Sequence, residues 1–136
     1  MFYIKKETLV TIVVFSLLII VIFLSIDIIR KDYVKNKKLL DGKILVSQLM
    51  NASITYYRNN GKYLVNDKVS FNDEYPFDAR LNPYFSVFST YPVDENKQGI
   101  SVFGTIDKTK YEIKVVFDKN DEPTSLENMK IQIIKK

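Results

Sequence analysis

Asp118, Asn120, Asp121 and Glu122 place four oxygen-bearing side chains in one short stretch. Such a stretch could serve a hard cation such as calcium, which gathers about six to eight oxygen ligands. An EF-type loop also needs a glycine at its sixth position and a distant glutamate in register. Both are absent, so the stretch reads as a polar hairpin turn. Asp94, Glu95 and Asn96, following Pro92, read the same way. Tyr56, Tyr57, Tyr63 and Tyr111 lie near lysines and could stack single-stranded nucleic acid. Their positions suit the packing of a helix and its following loop better. No spacing implies the paired carboxylates of acid–base catalysis. With neither histidine nor cysteine in the chain, Ser–His, imidazole–metal, thiolate and disulfide chemistry are excluded. The expectation is a protein that is not an enzyme, with no cofactor, no metal site and no specific nucleic-acid partner.

The stretch that organises the rest is Thr8 to Ile26, nineteen residues without a charge, a glycine or a proline. As a helix extended through Ile29 it roughly matches a bilayer core of about 30 Å. In lipid an unpaired backbone amide has no water to bond, so the run must be helical despite its Val and Ile content. Asp27 closes it as an interfacial marker, and Thr11, Ser16 and Ser25 can bond back to their own helix. Ahead of it stands MFYIKKE, a short basic leader expected to remain in the mature protein, because the apolar run is too long for a signal peptide. The formal charge is +4, and much of the excess falls between Arg30 and Lys43. That position suits anionic headgroups or neighbouring chains better than a nucleic-acid groove.

No proline interrupts Arg30 to Asn59. Leu39, Val46, Met50, Ser53 and Tyr57 fall on one narrow face, with Lys37, Asp41, Gln48, Asn51 and Arg58 opposite. The spacing predicts a single helix from about Thr8 to about Asn59, roughly 75 Å long. Gly42 is a local weakness of about 1 kcal/mol against alanine, and Asn59, Asn60 and Gly61 supply the stop. Between Lys62 and Asn82 polar residues, Pro76 and Pro83 predict a loop, with Tyr63, Leu64, Phe71, Tyr75 and Phe77 as anchors. Arg80 to Ser89 could form a short helix, with Leu81, Tyr84, Phe85 and Phe88 on one face, or a strand through Phe85 to Tyr91. Beyond it Ile100 to Thr105, Tyr111 to Phe117 and Met129 to Ile133 alternate as strands. Turns at Asp107 to Thr109 and Asp118 to Pro123 make them an antiparallel meander with one apolar face.

The fold class is therefore α+β, a long N-terminal membrane-spanning helix continuing into a small domain with a C-terminal antiparallel sheet. The expected divisions are a leader over 1–7, a span over 8–29 and a globular domain over 30–136. Within that domain the helix continues over 30–59, a loop covers 60–98 and the sheet covers 99–135. The stripe on the helix is the available cover for the sheet's apolar face.

Several local strings resemble those of type IV pilins and type II secretion pseudopilins. TLVTIVVFSLLIIVIF is similar to the family's TLIELLVVIAIIGILA opening. ASITYYRNNGKYL resembles the alanine, paired tyrosine and Asn-Gly-x-Tyr turn that end the family's long helix. LNPYFSVFSTYPVDEN resembles its leucine-proline-tyrosine helix followed by proline-x-Asp, and YEIKVVFD its penultimate strand. The order of the four strings is more specific than any one of them.

The departures fall at the family's processing site. Lys6, Glu7 and Thr11 stand where the family carries the glycine before the cut, the phenylalanine after it and a glutamate four residues on. Ile28 replaces its helix-loosening proline. The resemblance implies a structural subunit of a pilus or pseudopilus, and the lack of the glutamate points to a minor, capping or initiating one. Its packing surface would be Leu9, Val10, Thr11, Val13, Val14, Leu17, Leu18, Val21 and Ile22, and its partners the lipid bilayer, other subunits and the assembly machinery. The implied location is the inner or cytoplasmic membrane, single-pass, with the C-terminal domain outside and possible incorporation into a filament. The Lys/Arg distribution alone would place that domain in the cytoplasm, as in an anchored binding or regulatory module.

Overall fold

The computed structural model describes residues 5–63, 69–70 and 84–136. Helix α1 runs Lys6–Asn60, followed by strands β1 Val69–Ser70, β2 Phe85–Pro92, β3 Lys97–Ile106, β4 Thr109–Asp118 and β5 Gln132–Lys135, with a 3-10 turn at Leu126–Asn128 before β5. The strands form one antiparallel sheet in chain order, β1 to β5. The chain is thus α+β, with its long apolar helix N-terminal to the sheet. Two compact units divide it, Met1–Asn36 and Lys37–Lys136. In the first unit the described residues from Lys6 onward are helix, and the second holds the remainder of α1 and the sheet.

The core of the second unit forms where the helix stripe meets the inner face of the sheet. Leu45, Val46, Leu49, Met50 and Ile54 of α1 are buried with Phe85 and Phe88 of β2, Ile100, Val102 and Ile106 of β3, and Tyr111, Ile113, Val115 and Phe117 of β4. Each large apolar side chain taken fully from water contributes about 1.5–3 kcal/mol, so this cluster is the main stabilising feature. The period-2 alternation of β4 sets Tyr111, Ile113, Val115 and Phe117 inward and leaves Val116 exposed. The face expected from periodicity is present but wider: Gly42, Leu45, Leu49 and Ile54 join Val46, Met50 and Ser53 as buried positions.

At Gly42 the sheet lies directly against the helix backbone. A Cβ built there would lie 2.5 Å from Ile113 Cδ1 and 2.7 Å from Phe85 Cε2. A residue that weakens an isolated helix is therefore what lets β2 and β4 lie against this one. Gly104 has a related role in the sheet. It pairs with Phe85, next to the register shift between Phe85 and Val87, and a Cβ on it would strike the Tyr84 carbonyl.

Turn chemistry fixes the connections. Ile106 pairs with Thr109 across a two-residue loop in which Asp107 (φ 48°) and Lys108 (φ 66°) are both left-handed, the primed geometry that matches strand twist. The helix ends as its sequence predicts: Gly61 has φ 68° and its N–H donates to the Tyr57 carbonyl at 2.7 Å. Beyond β4, the Asn51 amide holds the returning chain at both backbone groups of Thr124. Its Nδ2 donates to the Thr124 carbonyl at 3.0 Å, and its Oδ1 accepts from the Thr124 N–H at 3.1 Å.

Some expectations need correction. The 60–98 interval is not loop throughout, because Phe85–Pro92 is a full strand paired with β3. Phe85 and Phe88 lie on the same inner face because of the bulge between Phe85 and Val87, a spacing that mimics a helix in the sequence. The meander of three strands is extended to five, and β3 starts at Lys97 rather than at residue 99. The last strand begins at Gln132, with Met129 and Ile131 packed on the core ahead of it. Asn51, expected on the polar side of the helix, is half-buried against the chain at Thr124. Leu64, Phe71, Tyr75, Phe77 and Leu81, the loop residues Pro76 and Pro83, and the leader's first four residues lie outside the described residues.

Gly42→Ala tests the helix–sheet approach. Helix propensity alone would favour alanine by about 1 kcal/mol, whereas overpacking a close-fitted core costs about 1–3 kcal/mol. The expected outcome is a lower thermal midpoint for the full chain in detergent, followed by the near-ultraviolet dichroism of its tyrosines. An unchanged or higher midpoint would show that Phe85 and Ile113 give way freely.

Candidate functional site

The first unit presents side chains apolar on every side of the helix. α1 is long and apolar enough in its N-terminal part to cross a membrane, and none of that apolar stretch is buried within the protein. Leu9, Val10, Val13, Val14, Leu17, Leu18, Val21 and Ile22 are each between 49% and 58% exposed. Ile12, Phe15, Ile19, Ile20 and Phe23 are no less open, at 51% to 69%. The fold itself therefore does not single out the expected packing residues from the rest of the circumference.

The polar atoms within this stretch are satisfied locally. Thr11 Oγ1 donates to the Glu7 carbonyl at 2.9 Å, Ser16 Oγ to Ile12 at 2.8 Å and Ser25 Oγ to Val21 at 2.8 Å. Each hydroxyl returns to the preceding turn, so its donor is not aimed outward. Lys6 and Glu7 open α1, and Glu7 stands in its first turn, where a carboxylate complements the helix dipole. At the far end of the apolar run, Lys31 Nζ lies 2.7 Å from Asp27 Oδ2, one helical turn away.

The oxygen-rich turns of the second unit use their carboxylates internally. Asp121 Oδ2 accepts from the Asp118 N–H at 2.7 Å, and Asp118 Oδ1 from the Asn120 N–H at 3.0 Å. Glu122 reaches Arg58 at 3.3 Å. In the preceding turn Asp94 Oδ1 accepts from the Asn96 N–H at 2.8 Å. Among the described residues no group of three acidic, histidine or cysteine side chains could hold a metal ion.

The tyrosines divide between core and clasp. Tyr111 is buried. Tyr63 packs on Tyr57, with ring centroids 4.4 Å apart, and edge-on to Phe117 at 5.9 Å, while its hydroxyl donates to the Asn96 carbonyl at 3.0 Å. That carbonyl also accepts from the Lys119 N–H at 2.9 Å. Burial, assisted by the charge of Asp118, pushes the Tyr63 phenol up to about 12, so it stays a donor across ordinary pH. These contacts tie the helix end to both turns at one end of the sheet, and the rings serve packing.

One polar group on the outer sheet face was missed in the sequence. Glu112 accepts from Ser101 Oγ at 2.8 Å and meets Lys136 Nζ at 2.7 Å, while Lys136 also lies 5.3 Å over the Phe103 ring. Strand alternation marks Glu112 as outward, but its partners depend on register with β3 and β5. A groove of about 400 Å³ beside it is lined by Tyr84, Val87, Phe103, Lys110 and Lys136 among others. A second groove of about 500 Å³ lies between the end of β4 and the returning chain at Asp121 to Lys130.

No protein-family model, curated protein or solved structure matches the chain.

Glu112 supplies a pH test. Burial would raise its carboxyl, but hydrogen bonds from Lys136 and Ser101, with the charges of Lys136 and Lys114, hold it below the usual 4.5. A depressed folded-state value contributes stability that is present above the unfolded-state value and is lost as pH falls through the folded one. Glu112→Gln is expected to lose about 1 kcal/mol at neutral pH and to show a shallower decline between pH 5 and 3, at roughly its unfolded range. Parallel acid limbs for the two proteins in denaturant titrations would show that the pair contributes nothing.

Proposed function

We propose that this chain is a structural subunit, in the manner of a minor type IV pilin or pseudopilin, held in a membrane by Thr8–Ile29 and joining neighbours through the same helix. The observation that carries this reading is the division of labour along α1. Its first part is apolar on all sides and bare, whereas residues 42–54 supply the buried stripe that the sheet needs. A helix used only as an anchor has no need to supply the core of the attached domain. One used for assembly gains from a domain built directly on its continuation. The order of the pilin-like strings in the sequence supports the same reading.

The absence of native cysteine makes crosslinking clean. On the proposed surface, Leu17→Cys and Val21→Cys should give disulfides, in membranes of cells with a pilus assembly system, to a neighbouring subunit that carries one cysteine at the same depth of its own apolar helix. Ile12→Cys and Ile19→Cys, on the other side of the helix, should give few. Equal yields from both faces, or none from either, would remove the assigned surface.

A second reading keeps the span but places the domain in the cytoplasm, as a tethered binding module. The bias of Lys and Arg toward the C-terminal side of the span favours it, with only Lys5 and Lys6 on the other. A reporter active only outside the cytoplasm, fused after Lys136, is expected to be active under the pilin-like reading. An inactive reporter, with its cytoplasmic counterpart active, would select the tethered module.

A further inference from the structure

Asn60–Gly61 is the one Asn-Gly step in the sequence, and it falls where α1 ends. Asparagine followed by glycine is the pairing most open to succinimide chemistry, because no side chain on the glycine shields its nitrogen from the preceding carboxamide. The fold has its own need for that glycine. Gly61 takes φ 68°, a conformation that residues with side chains rarely hold, and its N–H caps the helix at the Tyr57 carbonyl, 2.7 Å away. Asn60 and Gly61 are both exposed, and a Cβ on Gly61 would meet nothing within 4 Å. Solvent base therefore has access to the bond.

We propose that Asn60–Gly61 is a slow deamidation site gated by the last turn of α1. In the reaction the Gly61 N–H gives its proton to solvent base, and the nitrogen attacks Cγ of Asn60. The side-chain amide nitrogen takes up a proton and leaves as ammonia, closing a succinimide ring. Water then opens the ring at either carbonyl, which yields aspartate or isoaspartate. In sum, one carboxamide and one water become a carboxylate and ammonium.

The structure holds both reacting groups in other contacts. The Gly61 N–H is engaged by the Tyr57 carbonyl, and Asn60 Nδ2 donates to the Tyr56 carbonyl at 2.9 Å. Asn60 is still part of the helix, whereas ring closure needs its side chain folded over the following nitrogen. Reaction thus waits for the last turn to open, a local event that costs far less than global unfolding. The contacts just beyond resist that opening, since Tyr63 packs on Tyr57 and its hydroxyl donates to the Asn96 carbonyl. Asp41–Gly42 supplies the contrast. It has the same small follower, but Gly42 is buried within the helix beneath Ile113 and Phe85, where fraying of the end does not reach. Conversion at Asn60 also runs one way. It sets a negative charge at the negative end of the helix dipole and takes the donor from the Tyr56 carbonyl.

The test incubates the full chain in detergent at about pH 8, beside a synthetic peptide of residues 56–62, and follows the gain of roughly 1 Da at Asn60 by mass spectrometry of proteolytic fragments. Asn60 is expected to convert to aspartate and isoaspartate about tenfold or more slowly in the chain than in the peptide, an opening cost of about 1.4 kcal/mol or more. Tyr63→Phe, which removes only the hydroxyl bonded to Asn96, should shorten the half-time about threefold or more while the helical dichroism is unchanged. A chain that converts as fast as the peptide, or a Tyr63→Phe protein no faster than the native one, would overturn the gate. Absence of product in both proteins after the peptide has fully converted would overturn the site itself.

Discussion

The fit of Phe85 and Ile113 over Gly42 governs how the helix and sheet come together. Dispersion and water exclusion both depend on contact, and small gaps between apolar groups forfeit much of the attraction. At Gly42 the absent side chain allows β2 and β4 to settle against the helix while Leu45, Val46 and Leu49 fill the adjoining spaces. The bulge that returns Phe88 to the inner face beside Phe85, and the bare backbone of Gly104 beneath Tyr84, serve the same closure from the sheet side. The core is thus organised by where bulk is withheld as much as by where it is supplied.

Around that core the polar residues act mainly as fasteners. Asn51 grips both backbone groups of Thr124, Tyr63 and the Lys119 amide share the Asn96 carbonyl, and Asp118 and Asp121 complete a turn between them. Their energetic effect is modest where water is close, since hydrogen bonding to solvent is the alternative. Their specificity is the more important effect. They decide the path of the chain between β4 and β5, a stretch with few apolar side chains to decide it.

The elements set by strong local periodicity are legible in the sequence. The apolar run, the stop at Gly61, the turn at Asp107 and the alternation of Tyr111 to Phe117 each follow from backbone or solvent preferences acting over a few residues. Phe85–Pro92 was ambiguous because a bulge breaks the period of two, placing Phe85 and Phe88 three apart on one face. Gly42 was legible as a glycine but not as a contact, since its value comes from side chains about forty and seventy positions further on. The Glu112 cluster was hidden for a similar reason: its two partners, Ser101 and Lys136, lie in separate parts of the chain. As for the candidate surface, the apolar character of residues 9–22 was plain in the sequence, but neither sequence nor fold distinguishes one side of it by exposure.

The hydroxyls of Thr11, Ser16 and Ser25 have already chosen partners within their own helix. In a hydrocarbon environment this leaves none of the three as a donor toward a second helix. What the surface offers instead is steric relief: the projections of Phe15 and Phe23 against the lower profile of the valines around Val13 and Val14. Were a second helix to pack there, fit of shape would set the pairing, and the pair would tolerate axial slippage more readily than a polar zipper would.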